Sequence, residues 1–174
     1  DEGAVVYGFA AVKNIGRNTG EAIQHEREEG GAFRSLSDFC ARVSSKDVPV
    51  SMLETLIKAG AFDEFGDRAA LLLAAPAAHA AGQKRRADRE IGQNSLFGGL
   101  DDDSASVDEI PLPNVDPMPD RQKLDFEKEL LGVWVSENPL LKAQEKIARS
   151  TNARLSELTE FPDGQELVVG GLIR

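Results

Sequence analysis

The chain has 174 residues, 41% of them hydrophobic and 6% aromatic, and a formal net charge of −10. That is enough apolar material for one core with appended segments, while the acidic balance argues against a general nucleic-acid glue. No apolar run is long enough to cross a bilayer, and the N-terminus lacks a basic-then-apolar leader. The lone cysteine, Cys40, excludes an internal disulfide and fits a reducing, cytoplasmic setting.

The elements read in chain order as short helices. Residues 7–13 form a brief apolar stretch that runs into the turn Asn14-Ile15-Gly16. A helix is expected from about Thr19 to Glu29, capped by Asn18 with Glu21 completing a capping box, and ended by Gly30-Gly31. Ser35–Val43 follows, with Leu36, Phe39, Cys40 and Val43 on one face. Ser51–Ala59 has Ser51 and Glu54 as a second capping box and Leu53, Leu56 and Ile57 on its apolar face. Asp67 caps Arg68–Ala75. Pro76 is expected to interrupt that helix because it lacks the N–H that continues the ladder, and an alanine-rich basic helix then runs to about Glu90.

From Ile91 to Asp120 the composition shifts to Gly, Pro, Asp and Ser, with seven acidic residues and no basic ones. Such a stretch buries too little apolar surface to offset ordering, so it reads as a flexible acidic linker. Asp120–Leu131 is expected to be helical, as is a stretch opened by Asn138-Pro139 and running to about Arg149. Glu166–Ile173 reads as a strand. The fold class is therefore mainly α. Its expected divisions are a helical domain at 1–90, a linker at 91–120, a helical extension at 121–160 and the start of a further domain at 161–174.

Two turns have the character of hairpins between helices. In the first, the glycine of Asn14-Ile15-Gly16 permits close approach of a phosphate backbone, and the next helix offers its N-terminal amides to an anion. Lys13 and Arg17 flank the turn and add charge attraction. The alternative is an ordinary αα-hairpin in which Ile15 fills the core. The second turn, Gly60–Gly66, carries Asp63 and Glu64 with Asp67 beside it. Three carboxylates repel phosphate, so packing is expected to matter more there than binding.

Gln93-Asn94-Ser95-Leu96-Phe97 places a Leu-Phe pair between Gly92 and Gly98-Gly99, where neighbouring residues make a core unlikely. Either the pair fills a partner's groove, with Gln93 bonding at the rim, or it folds back onto the helical domain. Lys84, Arg85, Arg86 and Arg89 are diluted by Asp88 and Glu90 and read as a solvated helix face, with phosphate contact as the alternative. Asp101-Asp102-Asp103 reads as solvated tail rather than as a metal site. His25 and His79 read as surface or packing residues. Trp134, with Val133 and Val135, reads as an anchor for the later helices. Two histidines and one cysteine, far apart in sequence, cannot build a His/Cys zinc site.

Gly8–Gly16 (GFAAVKNIG), Glu28–Phe39 (EEGGAFRSLSDF), Leu53–Asp63 (LETLIKAGAFD) and Arg68–Leu72 (RAALL) occur in register. Together with Phe126–Pro139 (FEKELLGVWVSENP) they resemble the region after the fingers in the C-family of bacterial replicative DNA polymerases, the polymerase III alpha subunits. The resemblance implies tandem helix-hairpin-helix motifs that hold duplex DNA without sequence preference, through Lys13, Asn14, Ile15, Gly16 and Arg17. It implies that Gln93, Ser95, Leu96 and Phe97 bind the beta sliding clamp, with Asn94 standing where the family often has Leu. It implies that Glu166–Ile173 opens an OB domain. Other replicase subunits would be met through the parent chain. The parent's palm aspartates would hold magnesium, and no match to that region is found, so the fragment is read as non-catalytic and without a cofactor of its own. The runner-up reading is a helix-hairpin-helix module of a repair protein or of a damage-tolerant polymerase. A self-contained enzyme is disfavoured, because no Ser/His/Asp, Cys/His or metal constellation is present.

Overall fold

In the computed structural model, the described residues are 8–94, 109–136, 147, 149–153, 156 and 161–170. They belong to two units, one ending at Trp134 and the other beginning at Val135.

The first unit is helical. A single 3-10 turn, Phe9–Ala11, precedes α1 (Arg17–Gly30), α2 (Leu36–Arg42), α3 (Val50–Lys58), α4 (Arg68–Asn94) and α5 (Asp120–Leu131). A second 3-10 turn, Asp63–Phe65, lies between α3 and α4. The core forms where α4 packs on α2 and α3. Leu53, Leu56, Ile57 and Leu71 are fully buried there, each contributing about 1.5–3 kcal/mol. Phe39 of α2 meets Phe33 and Phe62 edge-on at 4.9 Å, and Phe62 meets Phe65 at 5.9 Å. This aromatic row ties the turn after α3 to α2.

The helix starts differ from the expected caps in two places. α1 begins at Arg17 with Gly16 as its N-cap, so Asn18 lies inside the first turn. Thr19 Oγ1 there donates to Asp47 O at 3.0 Å, a tertiary bond that holds the turn in place of the Asn18–Glu21 box. α3 begins at Val50, with Pro49 O accepting from the amides of Met52 and Leu53. Pro49, at φ −58, is already set for helix entry, which leaves Ser51 inside the helix. The cap expected at Asp67 forms, and Ser35, expected as the first residue of its helix, caps it instead. Asp38 N donates to Ser35 Oγ at 3.1 Å, and Ala69 N donates to Asp67 Oδ1 at 2.8 Å.

Pro76 does not break the chain into two helices. α4 runs unbroken through it for 27 residues. Pro76 is exposed, whereas Leu71, Ala74, Ala75, Ala78 and Gly82 form a buried stripe on the other side. Packing along that stripe outweighs the missing bond to Leu72 O, and on a solvent face a bend at proline is tolerated. The stripe ends at Gly82, where an added Cβ would run into the Cys40 carbonyl of α2. Only glycine allows these two backbones to approach so closely. Burial pushes the Cys40 thiol up to about 12, so it is an inert packing group at neutral pH.

Part of the expected linker is built into the core. Ile110 N donates to Ser37 Oγ at 3.0 Å, Met118 is buried, and Met118 N donates to Asp67 Oδ1 at 2.9 Å. Composition understated this stretch, because two apolar side chains and two backbone bonds suffice to seat it. Residues 95–108 lie outside the described residues.

In the second unit, residues 147, 149 and 150 are helical, and Thr151 Oγ1 donates to Ile147 O at 2.8 Å. Asn152 pairs with Val168 through N–H···O at 3.1 Å and through its Oδ1 at 2.8 Å. Residues 165–170 have no strand assignment. The remainder of the expected strand, 171–173, and the Asn138-Pro139 helix start lie outside the described residues.

Candidate nucleic-acid interface

The first hairpin is built from the 3-10 turn, the loop to Gly16 and the start of α1. Val12 and Ile15 are buried, and Ile15 N donates to Val12 O at 3.1 Å. Closing this turn puts Asn14 at φ +68, the left-handed region that asparagine tolerates better than most residues. Lys13 N donates to Leu130 O of α5 at 2.8 Å, which pins the loop from behind. Lys13, Asn14, Gly16, Arg17 and Asn18 face solvent.

Of the five residues expected to meet DNA, four are thus on the surface and Ile15 is a core anchor. Its burial shapes the turn without supplying a contact. Gly16 is not demanded by the fold, since its φ of −79 suits any residue and an added Cβ would meet nothing within 4 Å. No side chain caps α1, and its first turn carries no acidic residue. The leading amides of a helix have no intrahelical acceptor and sit at the positive end of its dipole. An open, uncapped helix start flanked by Lys13 and Arg17 is suited to a phosphate.

The second hairpin joins α3 to α4 and is chemically closed. Arg68, 3% exposed, donates from Nε and Nη2 to Asp63 at 2.8 and 2.7 Å, from Nη1 to Lys58 O at 3.1 Å, and from Nη2 to the fully buried Glu127 at 2.9 Å. Burial alone would lower the Arg68 pKa, but its bonds to Asp63 and Glu127 raise it, so the cation is permanent. Asp67 caps α4, accepts from Met118 N, and pairs with Lys123 Nζ at 3.1 Å. Burial pushes the Asp67 pKa up, but the backbone bonds from Met118 and Ala69, with Lys123, outweigh it and hold the carboxyl below the usual range. Two of the three carboxylates that seemed to repel phosphate are therefore spent on structure, while Glu64 remains exposed.

α5 was not anticipated as a part of this site. It touches both hairpins, through Leu130 at the first and through Lys123 and Glu127 at the second. One signal was available. Leu124, Glu127 and Leu131 fall at i, i+3 and i+7, so a carboxylate interrupts the apolar stripe, and a charge in that position needs a buried partner.

Elsewhere, Gln93 and Asn94 close α4, whereas Ser95, Leu96 and Phe97 lie outside the described residues. In the basic cluster, Arg86 pairs with Glu26 of α1 at 3.8 Å, and Lys84 and Arg89 are exposed. His25 pairs with Glu29 on the surface, and His79 Nε2 lies 3.2 Å from Val48 O. Trp134 takes Lys128 over its ring at 4.8 Å. Among the described residues, no group of three or more His, Cys, Asp or Glu could hold a metal ion, and no helix is long and apolar enough to cross a membrane. Asp101-Asp102-Asp103 lies outside the described residues.

Comparison with known proteins places this geometry. Residues 1–71 match the helix-hairpin-helix motif family. Across 99% of its length the chain is 36% identical to the DNA polymerase III subunit alpha of Vibrio cholerae and 34% identical to that of Escherichia coli K12. It is 38% identical to that of Thermus aquaticus over 97% of its length. The chain spans about 15% of the length of these relatives.

Proposed function

From its homology along nearly its whole length to one segment of the DNA polymerase III alpha subunit, we propose that this chain is a non-catalytic, gripping part of a bacterial cytoplasmic replicase. Its first hairpin holds the duplex backbone, and Gln93–Phe97 tethers the polymerase to the sliding clamp. Magnesium and the nucleotidyl-transfer chemistry belong to other regions of such a polymerase, as do its contacts to further replicase subunits. The observation that carries the duplex reading is the contrast in capping. The helix start at Gly16 is uncapped and flanked by cations, a ready site for a backbone phosphate.

The second grip rests on α4. Beyond Gly82 the helix continues to Asn94, about 18 Å farther at 1.5 Å per residue. Leu96 and Phe97 follow that tip, and each side chain, once enclosed in a groove, contributes about 1.5–3 kcal/mol. A weak peptide is adequate here, because clamp and polymerase share one DNA and the local concentration is high. The test is binding of the chain to a purified bacterial clamp. Changing Leu96→Ala together with Phe97→Ala should weaken binding on the order of a hundred- to a thousandfold. Equal binding by the double variant would sink the clamp assignment.

A further inference from the structure

We infer that Gly132, at the end of α5, is a positioning residue for the first hairpin. By stopping the helix where it does, it leaves the Leu130 carbonyl open to the Lys13 amide. Its consequence for DNA rests on the duplex reading proposed above, while its effect on the backbone of the turn does not.

Two ion pairs fix where α5 lies. Lys123 Nζ pairs with Asp67 at 3.1 Å, and the fully buried Glu127 accepts from Arg68 Nη2 at 2.9 Å. Leu130 O then accepts from Lys13 N at 2.8 Å. Positions 123, 127 and 130 stand at i, i+4 and i+7, on one side of the helix. Glu127 and Leu130 are only about 4.5 Å apart along the axis. The buried pair therefore sets the register of the carbonyl that meets the turn.

The last four carbonyls of a helix have no donor within it. Leu130 O is one of them, because α5 ends at Leu131. Gly132 follows at φ +75 and ψ −7, a left-handed C-cap, and its own carbonyl accepts from Lys128 Nζ at 2.8 Å. A right-handed residue at 132 would let the helix continue. The Trp134 amide would then reach Leu130 O as the next i to i−4 bond, displacing the Lys13 amide. No neighbour demands glycine at 132, since an added Cβ would meet nothing within 4 Å. Conformation alone selects it. On the other side of the bond, Lys13 immediately precedes Asn14, the one non-glycine residue with positive φ among the described residues. The tie to α5 thus acts where the turn takes the backbone conformation that side-chain-bearing residues least readily adopt.

Amide hydrogen exchange of the chain reads this tie directly. Gly132→Ala disfavours the left-handed cap, so exchange at the Lys13 amide should rise about five- to thirtyfold, with the amide of the buried Leu56 moving much less. Gly132→Asn should stay near the unaltered chain, because asparagine tolerates the left-handed region. Duplex affinity at low salt should follow the same order, lower in Gly132→Ala and retained in Gly132→Asn. No rise at Lys13, or an equal rise at Lys13 and Leu56, overturns the positioning role. So does unchanged duplex affinity in Gly132→Ala when Lys13→Glu still lowers it, which leaves the hairpin reading intact. No duplex binding by the unaltered chain, with the exchange pattern as expected, overturns the duplex reading and leaves the tie between Gly132 and the turn standing.

Discussion

The two hairpins share a plan and differ in what occupies the start of the following helix. At the first, α1 opens on Gly16 with no side-chain cap and no acidic residue in its first turn. At the second, α4 opens on Asp67, whose carboxylate takes the amides of Ala69 and Met118. The first presents Lys13 and Arg17 to solvent, while the second sinks Arg68 between Asp63 and Glu127. The first helix start has no side-chain cap, while the second is filled by the chain's own groups. A helix start is therefore a binding site only where the protein has left its amides unclaimed.

The sharpest way to break this contrast is at Arg68. Arg68→Met removes the guanidinium that Asp63, Glu127 and Lys58 O share, and the expected loss is about 3–5 kcal/mol of folding stability, read from denaturant midpoints. A loss below about 1 kcal/mol would mean that the second hairpin is not held by this network. The first hairpin should respond in the other way. Lys13→Glu or Gly16→Val should cut duplex affinity roughly tenfold at low salt, with stability altered by no more than about 0.5 kcal/mol. An unfolded Gly16→Val protein would refute the view that the fold leaves that position open.

The smallest effect is in acid. Asp67 has a folded pKa below its unfolded value, because hydrogen bonds from Met118, Ala69 and Lys123 overcome the burial that would raise it. Its contribution is complete above the ordinary carboxylate pKa and is lost as pH falls through the lowered folded value. Asp67→Asn should therefore cost most near pH 7, where the contribution is complete, and flatten the acid limb, the two proteins converging as pH falls through the lowered folded value. An identical acid limb in both proteins would dissociate the cap from the second hairpin's stability.

Much of this was legible in the sequence. Helices α1, α2, α3 and α5 and the cap at Asp67 follow from apolar spacing and cap chemistry, whereas α4 reads from sequence as two helices. Residues exposed at the first hairpin could be named from the turn and its flanking cations. What could not be read was tertiary. Pro76 is carried by a buried alanine stripe, residues 109–119 are seated by bonds to Ser37 and Asp67, and Lys13 is braced by Leu130, 117 positions away. Each depends on which surfaces meet, a fact that local propensity does not contain.

The unbroken run of α4 has a rotational consequence. A flexible tether transmits only length, but a helix also transmits phase. Each residue added between Gly82 and Asn94 would advance the tip by about 1.5 Å and swing it by about 100° around the axis. The bearing of Asn94 about the helix axis is therefore set by the number of residues in that helix, and a single insertion there would turn it by more than a quarter of a revolution while barely lengthening the helix.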